Sequence, residues 1–147
     1  MTPDTTAKDL TKVAPRSPKL TAGGYAILLR TIDKCRASIA GTIGEYHFDC
    51  PLDKQFFGFK NIVAEEFKAY VAEGHTDEEI LGWVVSHGTT KTPEEVSAWT
   101  ASVIANNYSG QPEKKAWLEG ENAKVGLAKD ATLFDFLDAD DIASFKK

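Results

Sequence analysis

Residues 44–53 read GEYHFDCPLD and crowd Glu45, Tyr46, His47, Asp49, Cys50 and Asp53 around one proline. Proline is favoured in the first turn of a helix, so Asp49 or Cys50 is expected to cap a helix that opens at Pro51. At such a start the free amides and the positive end of the helix dipole favour a thiolate, and His47 lies three residues away as a base. That pair offers nucleophilic chemistry. The carboxylates Glu45, Asp49 and Asp53 offer an alternative acid and base. Each residue also has a structural job open to it: a cysteine beside an apolar helix is a small core side chain, and an acid at a helix start is a cap. His47, Asp49 and Asp53 match no zinc or calcium spacing, so neither a metal nor a cofactor is expected.

The preceding segment supplies the positive charge. Tyr25, Leu28, Leu29, Ile32, Cys35 and Ile39 recur at helical spacing and predict a helix over residues 21–40. At about 100° per residue from Ile32, Arg36 falls near 40°, inside the apolar stripe. A buried guanidinium needs a partner, so Arg36 is expected to meet a carboxylate, carbonyls or a bound anion, with Glu45, Asp49 and Asp53 the candidates just downstream. Arg30, Asp33 and Lys34 fall on the opposite face, which reads as solvated unless residues 1–19 fold back across it.

Those groups need a scaffold. The first nineteen residues lack periodicity and, with PRSP at 15–18, predict a flexible or extended arm that docks late. Residues 20–147 then form one helical domain. Gly41 and Gly44 suit the end of the first helix, and 42–48 has the β-branched and aromatic content of a short extended segment. Leu52, Phe56, Phe57 and Phe59 belong to the helix opened by Pro51, and Ala64 to Ala72 to the next. The strongest local signals are TDEE and TPEE, capping boxes with Thr76 and Thr92 as caps and Glu79 and Glu95 reaching back. The first of these two helices should stop at His87 and Gly88. SGQP at 109–112 breaks the chain before a helix carrying Trp117, Leu118 and Val125. TLFDFL and DADDIASF read as one or two closing helices, DADD being a capped, solvated start. The expected fold is an all-α bundle of six to eight helices, its core knit by three tryptophans.

Composition narrows the functional classes. The net charge is −5, yet residues 1–60 carry nine Lys/Arg against six Asp/Glu and the remainder is acidic. A mild excess spread over sixty residues is not the basic patch that nucleic acid requires. The longest uncharged run, 96–112, is rich in Ser, Thr, Asn and Gly, which argues against a membrane span. With Asp4 and Asp9 where a signal peptide would be cationic or apolar, and two cysteines only, the expectation is a cytoplasmic protein with free thiols. AGGY at 22–25 and AGTIGE at 40–45 lack the context and lysine of a phosphate loop.

The segments DLTKVAPRSP (9–18), GGY (23–25), RTIDKCRA (30–37), AGTIGEYHFDCPLD (40–53), FFGF (56–59) and TPEEVSAW (92–99) occur in order. With them the chain resembles the bacterial domain-of-unknown-function family numbered 5069 over nearly its whole length. The resemblance implies a small cytoplasmic bacterial protein and assigns no residue a role. The leading expectation is therefore a noncatalytic module that binds a small anionic ligand or a protein partner at the first helix and the loop after it. Arg30, Lys34 and Arg36 would supply charge, Tyr46 and His47 directional contacts, and Glu45 and Asp49 the remaining polar groups. The alternatives are an enzyme using Cys50 and His47 or the carboxylates, and a structural protein whose segment 42–48 pairs across a dimer.

Overall fold

A helix that is charged on several sides and yet buried on all of them organises the chain. In the computed structural model, which describes residues 5–145, α1 spans Leu28–Ala40. Arg30, Asp33, Lys34 and Arg36 are each less than a tenth exposed, alongside the apolar Leu28, Ile32 and Cys35. Buried charge must be paired. Each of the four finds its partner on a different segment. Arg16 of the N-terminal segment holds Asp33 through Nε at 3.1 Å and Nη2 at 3.0 Å, and its amide donates to the same carboxylate at 2.8 Å. Lys34 meets Asp53 at 3.0 Å, Arg36 meets Asp77 at 2.9 Å, and Arg30 meets Asp141 at 2.8 Å. These pairs fix where the other elements dock around α1.

Two expectations about this helix are corrected. It opens at Leu28, not residue 21, because Gly23 and Gly24 take positive φ and Ala22 and Tyr25 exchange backbone bonds in a tight turn. Tyr25, Ala26 and Ile27 are core residues in a loop, and Ile27 itself holds φ 74°, a costly conformation for a β-branched residue, while its amide donates to Pro18. The face of Arg30, Asp33 and Lys34 is not solvated: the N-terminal segment folds back across it through Arg16, the alternative the sequence leaves open, and Asp141 of the closing helix meets Arg30. Leu10 is buried and its amide donates to the Thr42 carbonyl. Residues 1–4 of the expected arm lie outside the described residues.

Six further helices follow among the described residues: α2 Pro51–Lys60, α3 Ala64–Ala72, α4 Asp77–Ser86, α5 Pro93–Ile104, α6 Pro112–Lys124 and α7 Leu133–Phe145. The fold is all-α. Cys50 caps α2, and the boxes at Thr76 and Thr92 form as the sequence predicts, each threonine accepting from its glutamate's amide at 3.1 Å. His87 ends α4 and Gly88 follows at φ 67°. α1 packs on α2 and α3 around Phe56, Phe57 and Phe67, and α6 packs on α7. Trp83 and Trp99 pack against this core.

Three readings change in the rest of the chain. Residues 41–50 pass through successive turns rather than one extended segment over 42–48, with Gly44 and Asp49 at positive φ. Trp117 is half exposed and leans its ring on Phe136, so it does not knit the core. DADD is not a solvated helix start. It lies inside α7, where Asp141 is buried and Ile142 is exposed, the reverse of ordinary patterning. Asn122 of α6 aims the chain toward α7 by donating to Lys129 O at 3.3 Å and Ala131 O at 3.2 Å.

Candidate functional site

A cavity of about 750 Å3 opens where the N-terminal segment, α1, the 44–47 turn, the start of α2 and α7 meet. That is the size range of small-molecule clefts. Its walls are largely apolar, from Leu10, Leu52, Tyr108, Trp117, Leu137 and Phe145, and its floor is polar.

The floor is built from two charge relays that both begin on α1. In the first, Arg30 donates to Asp141 through Nη1 at 2.8 Å and Nη2 at 3.4 Å, and to the Arg16 carbonyl at 3.3 Å. The Tyr46 hydroxyl donates to the same Asp141 at 2.6 Å, its ring lies 5.6 Å from the guanidinium, and it stacks on Phe145. Burial, then the bond and charge of Asp141, push the Tyr46 phenol well above its usual value, so it stays a donor. In the second relay, Thr31 Oγ1 donates to Asp53 Oδ1 at 2.7 Å, and Asp53 Oδ2 pairs with Lys34. The Lys34 ammonium also reaches Cys50 Sγ at 3.1 Å, and the Cys50 amide donates back to Asp53 at 3.4 Å. Asp49 takes a left-handed conformation that a short polar side chain tolerates, and this turn brings Cys50 to the head of α2.

Of the residues singled out from sequence, Arg30, Lys34, Glu45, Tyr46, His47 and Cys50 line this one cavity. Arg36 and Asp49 do not. Arg36 turns to α4, bonding Asp77 and the His75 carbonyl at 2.9 Å, so none of Glu45, Asp49 and Asp53 is its partner. Asp49 pairs with Lys54 at 2.8 Å. Asp53 acts from behind Lys34 and is fully buried. The two thiols differ: Cys35 is sealed in the core, where burial pushes it up to about 12, whereas Cys50 is partly exposed. Among the described residues no group of three or more His, Cys, Asp or Glu is arranged to hold a metal. None of their helices is long and apolar enough to cross a membrane.

The sequence places a closing helix at residues 132–145, and α7 forms there, but nothing in the sequence assigns it a part in the site. Asp140, Asp141 and Ser144 complete the cavity, and Asp140 lies at its open rim. Partial desolvation, with the neighbouring Asp141 and Glu121 charges, raises the Asp140 carboxyl. A signal existed: an arginine on α1 with no local partner and an acidic run among apolar residues near the end of the chain. Nothing in the sequence joined positions 111 residues apart.

Of the three cations expected to meet an anion, Arg36 is paired with Asp77 away from the cavity, and the two that line it are paired as well, Arg30 with Asp141 and Lys34 with Asp53. Glu45 and Asp140 remain as surplus negative charge along the wall. Fold and cleft together define an all-helical domain with a small-molecule-sized pocket beside its central helix. The chain belongs to the DUF5069 family, a domain of unknown function, whose model matches residues 12–143. No curated protein matches the chain.

Proposed function

We propose that the junction cavity binds a small, mainly apolar molecule whose polar end carries an amine or hydroxyl. The observation behind this reading is the cavity's construction: apolar walls over a floor where each cation has its own carboxylate, with Glu45 and Asp140 left over. An apolar body would displace water from Trp117, Leu137 and Phe145. A donor at its polar end would meet Asp140, and an acceptor would meet Ser144. A carboxylate or phosphate would have to compete for Arg30 or Lys34 against a bonded partner. The test is a fragment series differing only in amine, hydroxyl or carboxylate, followed by the Trp117 indole signal at fixed ionic strength. Amine and hydroxyl members should bind more tightly than the carboxylate, and Asp140→Asn should erase the amine's advantage. Tighter binding of the carboxylate would overturn the reading.

A second reading rests on the contact between Cys50 and Lys34. Nucleophile, cation and orienting carboxylate stand in a row, Cys50 to Lys34 to Asp53, at the cavity floor, so that the Lys34 ammonium would stabilise a thiolate by charge, where the sequence offers His47 as a base. Such a thiol would add across a polarised carbon–carbon double bond of the bound molecule, sulfur bonding to one carbon while the broken π pair takes up the thiol's proton at the other. In the folded chain iodoacetamide should then modify Cys50 roughly tenfold faster than a free model thiol at pH 7, with the sealed Cys35 as internal control. Modification of Cys50 only after denaturation would remove this reading and leave the binding one standing.

A further inference from the structure

A second cavity, about 380 Å3, lies between the 23–25 turn, the end of α2, the loop joining α4 to α5 and the first turns of α5. Its charge pattern differs from that of the first. Lys60 and Lys91 both line it, and no carboxylate does. Lys60 is 1% exposed, and its ammonium makes one hydrogen bond, to the Thr89 carbonyl at 2.8 Å. Two of its three N–H groups therefore have no acceptor among the described residues. Lys91 lies 4.4 Å above the Phe59 ring. The acid that senses Lys91, Glu95, is held in its capping box by the Thr92 amide at 3.0 Å. Tyr25, 4% exposed, also lines the cavity, and its hydroxyl makes no hydrogen bond among the described residues.

Buried donors without acceptors are costly, and two ammonium groups around one cavity repel each other. Burial, then the charge of Lys91, lowers the Lys60 ammonium below its ordinary value. An oxyanion between the lysines relieves both costs at once, taking a hydrogen bond from each amine and one from the phenol. The cavity is also built to hold this shape. A Cβ on Gly88 would lie 2.0 Å from the Lys60 carbonyl, so the loop closes over the end of α2 only because residue 88 is glycine at φ 67°. The Thr89 amide then donates to that carbonyl at 2.6 Å, and Asn61 Nδ2 donates to Thr89 Oγ1 at 2.6 Å. The lysine that AGGY lacks in sequence arrives from α2 and from the α4–α5 loop.

We propose that this second cavity is an oxyanion site, taking the phosphate or carboxylate of a small metabolite on Lys60, Lys91 and Tyr25. It is separate from the junction cavity and does not depend on what that cavity binds. The test is a titration of the full chain with inorganic phosphate at constant ionic strength and pH 7, followed by amide chemical shifts, with acetate and chloride as parallel arms. Saturable shifts should centre on Tyr25, Lys60 and residues 89–91, with chloride giving none that saturate. Tighter phosphate than acetate would mark a phosphate-bearing ligand, and the reverse order a carboxylate. Lys91→Ala should weaken binding about tenfold and Tyr25→Phe roughly threefold. Neither variant removes a residue that pairs with a carboxylate, so both are expected to fold. Shifts that grow linearly with every salt, or saturable binding that Lys91→Ala and Tyr25→Phe leave unchanged, would overturn the proposal.

Discussion

The two cavities are close in construction and opposite in electrostatics. At the junction, cations on α1 are neutralised by carboxylates from α2 and α7, so the site's charge is spent on assembling the fold. No carboxylate lines the cavity of Lys60 and Lys91, and neither ammonium makes an ion pair among the described residues. A basic residue therefore reports anion binding only when its internal partners have been counted. Arg30, Lys34 and Arg36 look like a ligand set in sequence and are each paired with a carboxylate of the chain; Lys60 and Lys91 look ordinary and have no such pair among the described residues.

The largest expected effect separates the two directly. Asp53→Ala leaves Lys34 buried without its carboxylate and Thr31 without its acceptor, and should cost about 3–5 kcal/mol in urea unfolding. Lys60→Met, which removes a buried cation that has no acid partner, should change stability by no more than about 1 kcal/mol or raise it. Equal losses would erase the distinction between the cavities.

Asp77 gives the next effect, away from both cavities. Burial pushes its carboxyl up, but Arg16 and Arg36 outweigh burial and hold it below the ordinary 3.8. A depressed carboxyl contributes stability that is present above the unfolded value and lost as pH falls through the folded one. Asp77→Asn should therefore cost about 2 kcal/mol at pH 7, and the gap from wild type should close under acid. A gap that persists unchanged to low pH would mean that shape, not charge, joins α1 to α4.

A smaller effect concerns the slope of stability with pH. Lys60 is lowered in the fold, so the unfolded chain binds more protons between that lowered value and the ordinary 10.5. Stability should rise across that window, and both Lys60→Met and saturating phosphate should flatten the rise. The smallest effect serves as a control: Thr92→Ala removes an N-cap and should cost about 1 kcal/mol without moving the Trp117 signal.

Local chemistry was legible in sequence where it acts over a few residues. Thr76, Thr92 and the Cys50 to Pro51 pair mark their helices because a cap and its amides are three residues apart. The GEYHFDC stretch crowds titratable side chains before the helix start at Pro51, and Glu45, Tyr46, His47 and Cys50 do share one cavity. What stayed hidden depends on distant partners. The face of Arg30 and Lys34 looks solvated on a helical wheel because a wheel cannot contain Arg16 or Asp141. The spacing predicts a start at residue 21 because Tyr25 and Leu28 keep helical periodicity, whereas Gly23 and Gly24 turn the chain and the helix opens at Leu28. Trp117 was read as core because aromatic residues on amphipathic helices usually are; here α7 supplies too little cover, and the ring borders the cavity instead.

The central claim is that the junction cavity receives a small molecule whose apolar body lies against Trp117 and whose polar end meets Asp140 or Ser144. Mapping amide and indole shifts for amine-bearing apolar fragments tests it most directly. The account predicts saturable changes gathered on Tyr46, Cys50, Trp117 and Ser144, with Lys60 and Lys91 silent. Changes that never saturate, or that gather around Lys60 and Lys91 and spare Trp117, would contradict it.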